Sequence, residues 1–385
     1  MSAHSLSTRE EREFEAYVRA LLTTGKEEQI LKNLSELEVP SPYRVRVKVV
    51  YSPSSPISVL NQLTQSQRLE RLSQEATTYV HRVEVGTREV KKFQVPFVAT
   101  HFTGDNIGKT VNAIIAVCKR SQWTALRRFI RHQYPDIVPI LLSQAELIQG
   151  AKSLKQITGH AVQVRAFSAK ERLRTITGRG RKSIREWTDE ELDEALLNIQ
   201  DRHQVVTSLD VDFLPRVGGH SHIRPKASCK IRKDGEIEVS GSFKLAFDAV
   251  ATQVARVGEK KLSFFHGRGL RETQYTPRPL AINYPSPLFD DVKVVRSFVQ
   301  VLAKYPQSMH AVAHGNPYAH VRLTDLFDGS SFDIWAITPQ RVALIPGLKT
   351  SEAAFERIVH YIFDAFREGR IATYDREERP METAS

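Results

Sequence analysis

The stretch KASCKIRKDGEIEVS, residues 226–240, decides how the second half of this chain folds. Apolar Cys229, Ile231, Ile237 and Val239 alternate with charged Lys230, Arg232, Glu236 and Glu238, the period-two pattern of half-buried strands. Asp234-Gly235 marks a turn. A two-residue turn there would set Ile231 against Glu238 and scramble the two faces. A three-residue loop of Lys233, Asp234 and Gly235, with Gly235 left-handed as a bulge, sets Ile231 against Ile237 and Cys229 against Val239. It also places Lys230 across from Glu238 and Arg232 across from Glu236. The bulged hairpin is therefore expected, and with it an antiparallel sheet.

Outward from the hairpin, Val205–Phe213 alternates and puts Asp210 and Asp212 on one strand face. Two carboxylates so placed could share a divalent metal in a nuclease, or face solvent. Downstream, Phe243, Phe247, Val250, Val254 and Val257 recur at helical spacing, with Gly258 as the expected stop and Leu262–Phe265 as a short strand. A helix is expected over Phe289–Tyr305. Tyr318–Phe327 and Phe332–Thr338 flank Asp328-Gly329, a second hairpin signal. Pairing about that dipeptide sets Leu323 against Ile334 and Val321 against Ala336. The opposite face then gathers His320, Arg322, Thr324, Asp333 and Trp335, with Arg322 across from Trp335. Such a face suits a substrate or base-stacking platform or, with His310, His314 and Asn316 upstream, an acid–base or metal site, with His320 and Asp333 as the catalytic candidates. His220 and His222 have ligand-like spacing but no carboxylate or thiol close by. Arg341–Pro346 adds a strand, and the stripe from Ala354 to Phe366 a closing helix.

The first half reads as α/β. Ser7 with Glu10 makes a capping box, and Phe14, Val18, Leu21 and Leu22 share a helix face that Gly25 ends. Ile30, Leu31, Leu34 and Leu37 make a second stripe, closed by Pro40. Tyr43–Tyr51 alternates cleanly, and its basic face of Arg44, Arg46 and Lys48 reads as phosphate-contacting or solvated. A polar helix is expected over Val59–Val83 and a buried strand over Phe93–Thr100. Residues 101–120, HFTGDNIGKTVNAIIAVCKR, run strand, glycine loop, Gly108-Lys109-Thr110, then an apolar helix to Cys118. That is the order of a P-loop, but the first glycine is Gly104, one residue late for the phosphate cradle. Trp123–Tyr134 is an amphipathic helix, with Lys119, Arg120, Arg127, Arg128, Arg131 and His132 as a basic flank around Trp123, Leu126, Phe129 and Ile130. A strand at Ile137–Ser143, a helix at Ala145–Gln156 and a strand at Ala161–Phe167 suggest a β-α-β unit with parallel pairing.

Chemically, the most telling segment is Val162–Trp187. It holds Arg165, Lys170, Arg172, Arg174, Arg179, Arg181, Lys182 and Arg185 against only Glu171 and Glu186. Thr177–Arg181 lacks periodicity and reads as a flexible loop. The acidic helix start that follows, Asp189 to Glu194, could neutralise it internally, but the arginines outnumber the acids within reach. A second Gly-Arg-Gly, at Gly267–Gly269, carries Arg268. The net charge is +11, an attractive field for polyanions. Two cysteines far apart give no disulfide framework and suggest a reducing compartment. The start lacks the apolar run of a secretory signal, and no stretch is long and apolar enough to span a bilayer.

The expected architecture is a helical hairpin (1–40), an α/β domain (41–168), a basic linker (169–187), an α+β domain of antiparallel hairpins covered by helices (188–373), and a disordered tail (374–385). The expected function is a cytosolic nucleic-acid-binding protein, one subunit of a DNA- or RNA-processing complex, gripping backbone phosphate with little sequence reading. Arg172, Arg174, Arg179, Arg181, Lys182 and Arg185 would carry the contacts, with Lys109, Arg127, Arg128 and Arg268 in a second patch. The alternatives are a phosphodiester or nucleotide enzyme using Asp210 and Asp212 or the His320 face, and a non-catalytic subunit whose charge meets an acidic protein. The cofactor is left open, and no membrane partner is expected.

Overall fold

The computed structural model describes residues 7–52, 55–65, 69–73, 77–85, 91–102, 110–133, 136–158, 161–171, 184–185, 204–214, 225–265, 278–315 and 318–374. The chain divides into two units, residues 1–170 with 182–259, and residues 171–181 with 260–385. Both are mixed α and β, and every strand pair whose register is defined is antiparallel.

The first unit opens with α1 (Thr8–Thr23) and α2 (Glu27–Glu36), the expected hairpin. The Ser7 hydroxyl accepts from the Glu10 amide, while the Glu10 carboxylate accepts from Ser7 N–H at 2.7 Å, closing the capping box. There follow β1 (Arg44–Tyr51), α3 (Pro56–Gln65), β2 (Glu70–Arg71), β3 (Thr78–Val85), β4 (Lys91–His101), β5 (Val111–Cys118), α4 (Arg120–His132), β6 (Val138–Pro139), α5 (Gln144–Thr158), β7 (Ala161–Glu171), β8 (Ile184–Arg185), β9 (Gln204–Leu214), β10 (Ala227–Arg232) and β11 (Glu236–Gly241). Helix α6 (Phe243–Ala246) runs through a π-turn (Phe247–Ala251) into α7 (Thr252–Phe265).

The strands form one sheet in the order β2-β3-β4-β5-β1-β11-β10-β9-β7-β8, with β6 also on β1. The 226–240 hairpin has the expected register: Cys229 faces Val239, Lys230 faces Glu238 and Ile231 faces Ile237. Gly235 takes φ 71° and donates its N–H to the Arg232 carbonyl at 3.1 Å. A side chain there is blocked twice over, since a Cβ would lie 2.6 Å from the Ile140 carbonyl oxygen.

Several expectations change. The helix expected over Val59–Val83 ends at Gln65, and the β-branched run after Thr78 becomes β3. Residues 111–118 are strand β5, not a helix, so β4 and β5 make an antiparallel pair and the P-loop order is lost. Val111, Ile114, Ile115 and Val117 suit a fully buried strand, and all four are buried. The β-α-β unit does not form, because β6 pairs with β1 and β7 lies beside β9. Gly258 does not end its helix. It sits inside α7, where a Cβ would fall 2.0 Å from Ile140 Cδ1, so the glycine serves close approach. The helix then continues through residues 262–265, in place of the expected short strand. Finally, β9, β10 and β11 belong to the sheet of β1, across the boundary expected at residue 188.

The second unit contains β12 (Leu280–Asn283), α8 (Val292–Ala303), β13 (Ser308–His314), β14 (Ala319–Asp325), β15 (Ser330–Thr338), β16 (Arg341–Pro346), α9 (Glu352–Ala365) and β17 (Arg370–Thr373). The sheet order is β13-β14-β15-β16-β12-β17. Its core joins Val295, Phe298 and Leu302 of α8 and Phe355, Ile358 and Ile362 of α9 to Ile282, Val321, Leu323, Ile334 and Leu344 of the sheet. The helices thus take one sheet face, as the alternation of β14, buried at Val321 and Leu323, requires.

The β14–β15 register is corrected by two residues. Val321 faces Ile334, Leu323 faces Phe332, Arg322 faces Asp333 and His320 faces Trp335. A shift of two keeps every side chain on its expected face. The connection is four residues, Leu326 to Gly329, because two carboxylates build it. Asp325 accepts from Phe327 N–H and Asp328 from Ser330 N–H, each at 2.9 Å. Arg357 reaches across from α9 to both, at 2.6 and 3.1 Å.

Candidate nucleic-acid interface

One face of the first sheet carries a ladder of charge. In β1 the side chains of Val45, Val47 and Val49 point one way, and Arg46 and Lys48 the other. Register sets Arg46 against Glu238, Glu238 against Lys230, and Lys230 against Asp210, so the sign alternates over four adjacent strands. The Arg46 guanidinium lies 2.6 Å from Glu238 and 3.7 Å from Glu236. Lys48 lies 2.9 Å from the Asp234 carboxylate and also donates to the Asp234 backbone carbonyl. Lys230 lies 2.9 Å from Asp210, Arg232 3.2 Å from Glu236, and Arg165 of β7 3.8 Å from Asp212. At Arg46 and Lys48 the basic face of β1 is therefore neither solvated nor open to phosphate, while Arg44 at the strand start is partly exposed, 3.9 Å from Glu238. Arg46 and Lys48 are 5% and 4% exposed, and β11 with its turn supplies their counter-charge.

Burial drives the electrostatics here. It pushes the Lys48 ammonium down, against the pull of Asp234. Burial alone would raise the Asp234 carboxyl, but Lys48 and Arg127 beside it prevail and hold it at about 2. Burial also pushes the Cys118 thiol up to about 12 and raises Cys229, so neither offers a thiolate at neutral pH.

Helix α4 turns Trp123, Leu126, Phe129 and Ile130 into the core. Its other side, Arg120, Thr124, Arg127, Arg128 and Arg131, is exposed, and α4 contains no carboxylate. Arg127 is held by Asp234 at 3.0 Å and Glu236 at 2.9 Å. Arg120, Arg128 and Arg131 have no ion-pair partner among the described residues. The three span about 16 Å along the helix axis. All three belong to the basic flank expected of this helix, although of that flank only Arg127 and Arg128 enter the expected phosphate-binding patch.

The basic segment is bracketed by strands. Phe167 faces Arg185 and Ser168 faces Ile184, so β7 and β8 flank residues 172–183. Between Arg172 and Arg185 the sequence holds six cations and no carboxylate. Arg172, Arg174, Arg179, Arg181 and Lys182 lie outside the described residues, as do Lys109, Arg268, His220 and His222, and of Arg185 only the backbone is described.

In the second unit, the sheet face opposite the helices carries a compact polar group. His320 Nε2 and Arg322 Nε each lie 3.0 Å from Asp333 Oδ1. The His320 ring lies 4.6 Å from that of Trp335. His314 of the edge strand β13 is directly opposite His320 and exposed.

The chain matches no known family model and no curated protein.

Asp210 and Asp212 each stand against a cation, and among the described residues no three His, Cys, Asp or Glu side chains gather as a metal would need. They share a strand face as expected, while His320 and Asp333 come together as neighbours of Arg322 and Trp335. Asp210 and Asp212 belong to the first unit and the histidine group to the second.

Proposed function

We propose that this protein binds nucleic acid through its phosphate backbone, using the segment Arg172–Arg185 and the exposed arginines of α4. The observation that carries this reading is the division of the cations into two classes. Arg46, Lys48, Arg127, Arg232 and Lys230 are matched by carboxylates inside the first unit. Arg120, Arg128 and Arg131 are not matched among the described residues, and the 172–185 run has no acid of its own to match it. Arginines left open on a helix face favour bidentate phosphate contacts. Helix α4 has no carboxylate to reject a polyanion. Contacts of this kind give affinity without sequence reading.

Among the described residues no helix is long and apolar enough to cross a membrane. A cytosolic site of action, within a larger nucleic-acid-processing assembly, completes the proposal. The carboxylate pair Asp210 and Asp212 is better suited to sheet cohesion than to metal chemistry, because each acid already faces Lys230 or Arg165. The test is fluorescence anisotropy of the full chain with single- and double-stranded DNA and RNA. Affinity should fall by orders of magnitude between about 50 and about 200 mM salt. Absence of binding at low salt to all four probes overturns the reading, and would favour an acidic protein as the partner.

A further inference from the structure

We propose that the open face of the second sheet cleaves RNA without a metal, by attack of the substrate's own 2′-hydroxyl, with His320 as general base and His314 as general acid. This rests on the nucleic-acid reading above and adds to it a substrate class, ribonucleic acid, and a reaction.

Five side chains on one sheet face carry the argument. His314 and His320 are partners on neighbouring antiparallel strands, just past a register shift between Val312 and His314, and cross-strand partners hold their Cβ atoms about 5 Å apart. Opposite residues share a face, so both rings stand on the side away from α8 and α9. The Asp333 carboxylate accepts from His320 Nε2–H at 3.0 Å. That bond fixes the tautomer and leaves the Nδ1 lone pair free to take a proton. Arg322 lies two residues along β14, about 7 Å from His320, with its side chain 70% exposed. Only its Nε is engaged by Asp333, so its terminal N–H groups remain for a phosphate. Trp335 beside His320 offers a ring to a base.

The reaction balances with these groups alone. His320 Nδ1 takes the proton of the 2′-hydroxyl as the 2′-oxygen bonds to phosphorus. Arg322 binds the non-bridging oxygens, where negative charge builds up. The bond from phosphorus to the 5′-oxygen breaks, its electron pair leaving on that oxygen, which takes a proton from His314. The products are a 2′,3′-cyclic phosphate and a free 5′-hydroxyl. His320 ends protonated and His314 neutral, and exchange with water restores both. Asp333 is a positioning residue: it holds the His320 ring and does not touch substrate.

The experiment incubates the full chain with an end-labelled RNA oligomer in EDTA, beside the same oligomer carrying 2′-O-methyl groups. Binding to the methylated oligomer is measured in parallel. The RNA should be cut to 2′,3′-cyclic phosphate ends and the methylated oligomer should be bound but left whole. His314→Ala and His320→Ala should each slow cleavage by at least about 100-fold with binding unchanged. His314 is on an exposed edge strand, so its truncation leaves the core intact. Asp333→Asn should lower kcat at constant KM and shift the pH profile of cleavage, a shift that a loss of folded protein would not give. RNA that is bound yet stays whole overturns this inference and leaves the nucleic-acid reading standing. Cleavage that survives both histidine variants also overturns it. Failure to bind either oligomer overturns both.

Discussion

Arg46 of β1 stands directly across from Glu238 of β11, with 2.6 Å between guanidinium and carboxylate. Arg46 is buried, whereas Glu238 is partly exposed and keeps Arg44 at 3.9 Å as a second cation. Arg46→Ala should destabilise the first unit by about 1–3 kcal/mol, read from urea unfolding. Replacing Arg46 and Glu238 together by apolar residues of similar size should cost less than the single change. A single-variant loss well under 1 kcal/mol would show that the pair is hydrated and inconsequential.

Asp234 sets an acid limit on that ladder. Its folded value, about 2, lies below the ordinary 3.8, so its contribution is full above the ordinary value and disappears as pH falls toward 2. The amount is about 2 kcal/mol. The stability gap between the wild type and Asp234→Asn should therefore narrow by that amount from about pH 5 to about pH 2. A gap that stays constant across the window would contradict the assignment.

Much of the fold is legible where local chemistry and burial agree. The 226–240 register follows from asking which loop keeps Ile231 opposite Ile237, and the sheet obeys it. The Ser7–Glu10 cap is legible for the same reason. The partners of Arg46 and Lys48 are harder to see, because alternation reports two faces and not what covers the polar one. The signal lies in Glu236 and Glu238, which repeat at the same period with the opposite sign. Residues 111–118 look helical because Gly108-Lys109-Thr110 precedes them, although their β-branched content favours a strand. The members of the histidine group are legible, but their register is not. Arg357, which helps fix the turn at Asp325 and Asp328, lies on a helix 29 residues or more away in sequence.

Gly258 and Ile140 make a reciprocal pair. Gly258→Ala should cost about 1–3 kcal/mol through overpacking, despite the helix preference for alanine. Ile140→Val removes the Cδ1 atom that a Cβ at 258 would meet at 2.0 Å. The double variant should then be more stable than the sum of the two losses implies, by thermal or denaturant unfolding. Strict additivity would mean the two positions do not touch.

Arg357 compensates two carboxylates whose side chains are only 2% and 7% exposed. Arg357→Met should destabilise the second unit by about 3–5 kcal/mol and speed amide exchange through residues 325–330. Unchanged exchange there would mean that the turn does not depend on the arginine.

The central claim, that unmatched arginines grip phosphate, is met most directly by charge reversal with salt titration. Filter binding would compare the wild type with Arg179→Glu/Arg181→Glu/Lys182→Glu and with Arg128→Glu/Arg131→Glu. Each set should weaken binding for every nucleic-acid sequence alike and flatten the salt dependence by roughly one unit of slope for each phosphate no longer neutralised. Affinity and slope that match the wild type in both sets would contradict the account.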